Sequence, residues 1–127
     1  MRILLDTHIL LWALADSPRL SARARELLAD PDSDCWVSSA SVWEIAIKVG
    51  LGKHQLEFPL ARLEAAIVEA GFQCLDITVR HALALERVKT SHADPFDRLL
   101  LAQCEVETFR LMTTDERLTQ LPVAIAC

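Results

Sequence analysis

Arg2-Ile3-Leu4-Leu5-Asp6-Thr7-His8-Ile9-Leu10-Leu11-Trp12-Ala13-Leu14 sets two apolar runs on either side of an acid. Arg2 to Leu5 reads as a short buried strand. Ile9 to Leu14 reads as an apolar helical segment ended by the Asp16-Ser17-Pro18 turn. An acid placed where a hydrophobic run stops recurs along the chain: Glu44 follows Trp36-Val37, the Asp94/Asp97 pair opens another apolar stretch, and Asp115 follows Leu111-Met112. If the runs are neighbouring parallel strands, these carboxylates converge on one edge of one sheet.

The remaining segments support that arrangement. Ser21 to Ala29 is helix-like and closed by Asp30-Pro31-Asp32, and Cys35 to Ser38 reads as the second strand. Ala40 to Val49 has the length of a helix, with Gly50 suited to the left-handed position past its end. Pro59 to Ala70 is an amphipathic helix with proline at its opening and Gly71 beyond its close. Phe72 to Ile77 is the third strand, Thr78 to Val88 a helix, and Thr90-Ser91-His92 a loop. Pro95 to Glu107 is helical, Arg110 to Thr113 the fourth strand, Glu116 to Gln120 a short helical turn, and Val123 to Ala126 the fifth strand. Strands alternating with helices imply parallel crossovers and an α/β sandwich, in which ligands bind beyond the carboxyl ends of the strands.

Composition narrows the classes. A chain of 127 residues, 52% hydrophobic and 24% charged, is expected to be one soluble globular domain spanning residues 1–127. No stretch approaches the roughly 18 apolar residues of a membrane span, and the start lacks the pattern of a secretory leader. Cys35, Cys74, Cys104 and Cys127 show no C-x-x-C pairing and read as reduced, mostly buried residues of a cytoplasmic protein. Neither they nor His8, His54, His81 and His92 have zinc-ligand spacing. The net charge of −5 argues against nonspecific coating of nucleic acid but not against a nuclease that meets phosphate through metal ions.

Each acid has a purely structural reading beside the functional one. Asp6 is equally the N-cap of the following helix, and Asp115 the N-cap of the short turn after it. Asp94, with Pro95 at the first helical position, is best read as a cap. Glu44 is different, because its helix is apolar on nearly every side and Ser41, Glu44 and Lys48 form one narrow polar stripe. The bland alternative is a solvated Glu44–Lys48 pair worth about 0.3–0.5 kcal/mol. Asp97 heads the inward stripe of Leu100, Leu101 and Cys104, so its carboxylate must be paired, protonated or metal-bound.

A cluster of carboxylates is stable chiefly with a hard cation such as Mg²⁺ or Mn²⁺, and phosphodiester hydrolysis is the chemistry that best fits. There is no phosphate-binding loop and no nucleophile elbow; Gly50-Leu51-Gly52-Lys53 is a helix stop and turn. His8 and His92 could contact phosphate or be ordinary polar loop residues. Lys48, Arg98 and Arg117 are the cations best placed to meet an RNA backbone, although Arg98 could instead pair with Asp94 or Asp97. Two other readings stand: a non-catalytic RNA- or protein-binding α/β module whose acids are caps, and a metal-dependent phosphatase. A phosphatase of the haloacid-dehalogenase type requires a second Asp two residues after the first, where this chain has His8.

Ile3-Leu4-Leu5-Asp6-Thr7-His8, Ser38-Ser39-Ala40-Ser41-Val42-Trp43-Glu44-Ile45-Ala46-Ile47-Lys48, His92-Ala93-Asp94-Pro95-Phe96-Asp97-Arg98-Leu99-Leu100 and Thr113-Thr114-Asp115 together resemble the PIN-domain family. More narrowly, they resemble the VapC-type toxins of type II toxin-antitoxin pairs. The resemblance implies a three-layer α/β/α domain around a five-stranded parallel sheet, with Mg²⁺- or Mn²⁺-dependent endoribonuclease activity. It makes Asp6, Glu44 and Asp97 the core acids and metal ligands, with Asp115 a more variable fourth, and leaves open whether Asp94 touches metal. Thr7, Ser39 and Thr113 become hydroxyls that orient carboxylates or a water. A homodimer and a small cognate antitoxin are the implied partners.

Overall fold

The structure is a computed structural model that describes residues 1–90 and 94–127. Five strands form an all-parallel sheet: β1 (Arg2–Leu5), β2 (Asp34–Ser38), β3 (Gln73–Leu75), β4 (Arg110–Thr113) and β5 (Ala124–Ala126). Among the described residues seven α-helices connect or flank them: α1 (Thr7–Leu14), α2 (Ala22–Ala29), α3 (Ser39–Gly50), α4 (Leu63–Glu69), α5 (Val79–Leu83), α6 (Pro95–Glu107) and α7 (Glu116–Thr119).

The strand order is β3-β2-β1-β4-β5, with β1 in the middle. Register runs Ile3 to Cys35 on one side and Ile3 to Arg110 on the other. Along β1 the side chains alternate between two cores. Ile3 and Leu5 join Val37, Met112, Ile125 and the apolar faces of α1, α2 and α4. Leu4 joins Leu111, Phe109 and the inward residues Leu100, Leu101 and Cys104 of α6, with Leu118 of α7. Both faces of the sheet are therefore covered, the three-layer α/β/α arrangement expected of continuous apolar strands.

The chain winds outward from β1 to β2 and β3, then returns to place β4 on the opposite side of β1. The topological switch point thus lies between the carboxyl ends of β1 and β4. Asp6 sits there, its N–H donating to the Met112 carbonyl at 3.0 Å.

Several boundaries differ from expectation for local reasons. α1 begins at Thr7, not Ile9, because Asp6 caps it directly by accepting from the His8 N–H; His8 is consequently a helical residue. Gly50 is the last residue of α3, and it is Gly52 that takes the left-handed conformation, at φ 72°. The helix expected over Pro59 to Ala70 opens as a 3₁₀ turn, Leu60–Arg62, before α4. Neither start carries a side-chain cap, and the tighter Arg62 N–H to Pro59 carbonyl bond satisfies the opening. Thr78 and His81 cap each other's backbone at α5, which passes into a 3₁₀ turn at Ala84–Arg87. The third strand shortens to Gln73–Leu75, the length over which an edge strand finds partners in β2. Cys74, on that edge, is exposed, whereas Cys35 and Cys104 are buried; all four cysteines are free. Burial pushes the Cys104 thiol up to about 12.

Candidate active site

Three of the acids are buried. Asp6 is 5% exposed, Glu44 4% and Asp97 9%, which excludes the solvated reading of Glu44. Asp6 leaves β1 at the switch point, and its Oδ2 accepts from Thr113 Oγ1 at 2.6 Å across the β1–β4 seam. Its Oδ1 accepts the longer 3.3 Å bond from the His8 N–H. Burial is the main influence on this carboxyl and raises its pKa from 3.8. The Thr113 and His8 bonds and the nearby His8 charge oppose that rise, and the Glu44 charge adds to it.

Glu44 is brought to the same place by α3, which starts directly from β2 with Ser38 as N-cap. Thr7 Oγ1 lies 2.8 Å from Glu44 Oε1 and 2.9 Å from Ser41 Oγ, so the first turn of α1 is tied to α3. Lys48, one turn onward, donates to Glu44 Oε2 at 2.5 Å. That bond is the leading reason the Lys48 ammonium is held protonated; partial burial opposes it, and the charges of Glu44, Asp94 and Asp97 reinforce it. Lys48 is therefore a local counter-charge to the acids. Ser41, which belongs to the polar stripe, is a hydroxyl of the site that the resemblance did not single out. Its signal in the sequence was the three-residue spacing to Glu44.

α6 supplies Asp97. Asp94 caps this helix, its Oδ1 accepting from the N–H groups of Phe96 at 2.8 Å and Asp97 at 3.3 Å. Asp97 then begins the buried face that continues through Leu100, Leu101 and Cys104. Asp115 caps α7 by accepting from the Arg117 N–H at 2.9 Å, and it also receives Nε and Nη2 of the Arg117 guanidinium at 3.2 and 3.0 Å. The guanidinium is held protonated first by this Asp115 bond, with the Asp97 and Asp94 charges contributing. Lys48 and Arg117 thus both feel the Asp94/Asp97 pair. Ser39 faces elsewhere: its Oγ accepts from the Ile77 N–H at 3.1 Å beside β3. Arg98 has a buried Nε without a hydrogen-bond acceptor among the described residues. His92 lies outside the described residues.

The donor set is all carboxylate and hydroxyl oxygen, three of its acids are buried, and in chemistry it fits a hard divalent cation. Among the described residues no three His, Cys, Asp or Glu side chains stand close enough together to hold an ion. Thr7 and Lys48 bond Glu44, and Thr113 bonds Asp6.

A five-stranded parallel sheet covered on both faces, with buried acids Asp6, Glu44 and Asp97, defines an α/β/α class, and within it the chain belongs to the PIN-domain family, whose model matches residues 3–124. It is 30% identical over 117 residues to Ribonuclease VapC22 of Mycobacterium tuberculosis, covering 91% of this chain and 88% of that protein. The VapC resemblance read from the four motifs is met by that relative. In fold it is similar to a chain of VapBC2 from Rickettsia felis, crystallised with a DNA fragment from its promoter. The TM-score is 0.69 at 18% identity, over 100% of this chain and 98% of that one. A chain of a toxin-antitoxin complex from Klebsiella pneumoniae matches with TM-score 0.68 at 19% identity, over 98% and 96% of the two chains. No helix among the described residues is long and apolar enough to cross a membrane.

Proposed function

We propose that the chain is an endoribonuclease that hydrolyses RNA phosphodiester bonds with Mg²⁺ or Mn²⁺, and that it is the toxin of a toxin-antitoxin pair. The observation that carries this reading is the burial of Asp6, Glu44 and Asp97, each brought in by a different element around one switch point. The 30% identity to a protein named a ribonuclease supports the reaction class.

Asp6, Glu44, Asp97 and Asp115 are the residues that would hold the cation. When bound, it would lower the pKa of a water and neutralise charge developing on the phosphate. The chain's other groups prepare that site. Thr113 and Thr7 fix the carboxylates of Asp6 and Glu44, so little reorganisation remains when substrate arrives. Lys48, Arg117 and Arg98 bring positive charge beside an acidic cleft that would otherwise repel RNA. Asp94 sets the start of α6 and so the placement of Asp97.

The partners we propose are a small cognate antitoxin and a second copy of this chain, in the cytoplasm. Complexes of toxin and antitoxin among the structural neighbours support the first. Exposed Trp43 and Ile47 on α3 with Leu51 just past its end, and Val79 and Leu83 on α5, offer apolar surface for both.

The purified chain should cleave RNA in Mn²⁺ or Mg²⁺ and stop in EDTA. Asp6→Asn should be inactive, by about a hundredfold or more, while its circular dichroism and melting remain those of a folded protein. A folded Asp6→Asn chain with full activity would refute the proposal.

A further inference from the structure

One group of residues beside the acids plays no part in the proposed hydrolysis. His8, exposed and two residues beyond Asp6, lies 6.0 Å from the Trp12 ring and 6.2 Å from the His54 ring, centroid to centroid. The pairs are inclined at 48° and 88°, so neither is a parallel stack. His54 follows α3 through a turn in which its N–H and that of Lys53 both bond the Lys48 carbonyl, at 3.3 and 2.8 Å. His8, Trp12 and His54 thus lie beside Asp6, Glu44 and Lys48, joined to them through the His8 N–H and the Lys48 carbonyl. There Trp12 and His54 line a cavity of about 220 Å³ whose walls are partly apolar, with Leu56 and Phe58, and partly polar, with Gln55 and Glu57. His54 Nε2 is buried and has no hydrogen-bond partner among the described residues.

Aromatic faces, a ring nitrogen without a partner among the described residues and a small cavity with both apolar and polar walls are what a planar heterocycle bearing polar edges would need. A peptide side chain would use the apolar walls but not the aromatic faces beside a phosphate-handling site. Resting on the nuclease reading above, we infer that His8, Trp12 and His54 form a subsite for a single unpaired nucleobase flanking the scissile phosphate. His8 and Trp12 provide the stacking surface and His54 the edge contact. The substrate at this point is then single-stranded or looped RNA, since a base within a duplex cannot enter. Base–aromatic stacking changes affinity by roughly 5- to 150-fold per base.

The test uses wild-type chain with Mn²⁺ and a series of single-stranded RNA oligomers, each lacking one base at a different position. One abasic position is expected to raise KM about tenfold with little change in kcat. His54→Ala should raise KM on intact RNA by a similar factor and erase the dependence on that one position, whereas His54→Gln, which keeps a hydrogen-bonding group, should retain it. His8→Ala, at an exposed residue, should give the smaller rise of a lost stacking face. If wild type cleaves every abasic oligomer equally well, or if the positional effect survives His54→Ala, the subsite is refuted and the nuclease reading stands. The cavity would then be free for a partner protein's side chain. If wild type cleaves none of the RNAs in Mn²⁺, the nuclease reading and the subsite fall together.

Discussion

Asp6 is a carboxylate placed where its charge is poorly solvated, and that has a consequence for pH. Burial, with Glu44 nearby, raises its folded pKa above 3.8, so the folded chain binds a proton more readily than the unfolded one. Its contribution to stability is therefore largest below the unfolded value and is lost as pH rises through the folded pKa. In EDTA, the melting temperature of Asp6→Asn relative to wild type should climb as pH rises above about 4 and through the folded pKa, because only wild type carries the buried charge. A flat difference would mean that Thr113 and the His8 N–H fully compensate the burial. At this scale the sequence was informative where spacing encoded direction: Asp97 at the head of Leu100, Leu101 and Cys104, and Glu44 with Ser41 and Lys48 in one stripe. It was silent on Thr113 meeting Asp6, a contact across 107 positions that only strand pairing creates. Nor could it give the environment of Ser39, whose hydroxyl meets Ile77 rather than a carboxylate.

Among the elements, α6 shows how a helix is built to hold one functional side chain in place. Its start is over-determined, with Asp94 accepting two backbone N–H groups and Pro95 already at helical φ. Its end is less well matched. Thr108 takes the left-handed conformation at φ 58°, and the N–H groups of Thr108 and Phe109 both return to the Cys104 carbonyl. This is the pattern in which glycine is favoured, because a β-branched residue there is strained by roughly 1–2 kcal/mol. Thr108→Gly should raise stability by about 1 kcal/mol, after part of the relief is offset by the flexibility of glycine in the unfolded chain. Asp94→Ala should lower it by about the same amount through the lost cap. Both are read as a shift of a few degrees in thermal melts. The boundaries of α6 were legible because proline and a capping acid announce its start. Those of α4 and α5 were less so, since the choice between an α-turn and a 3₁₀ turn depends on caps formed or missing at Pro59, Arg62 and Thr78.

For the whole molecule, alternation of strand and helix indicated a parallel sheet, but no residue pattern stated that β4 would return beside β1. That choice creates the switch point and decides which acids meet, and it depends on the packing of α6 and α7 against one face while α1, α2 and α4 cover the other. Because the acids come from β1, α3 and α6, a ligand bridging them would join elements far apart in sequence, and its binding energy would appear as folding energy of the entire chain. A cation that binds only the folded state, at a free concentration about 100 times its dissociation constant, should add about 2.7 kcal/mol to the stability of wild type. A melt in Mn²⁺ should therefore run several degrees above one in EDTA. Asp6→Asn should lose most of that gap because a ligand is gone. Asp94→Ala starts from a lower melting temperature but should keep the gap if its acid only caps α6. If the gap vanishes in Asp94→Ala as well, Asp94 belongs with the cation's ligands. If wild type shows no gap, the acids are caps and hydrogen-bond acceptors, and a cation is not what brings them together.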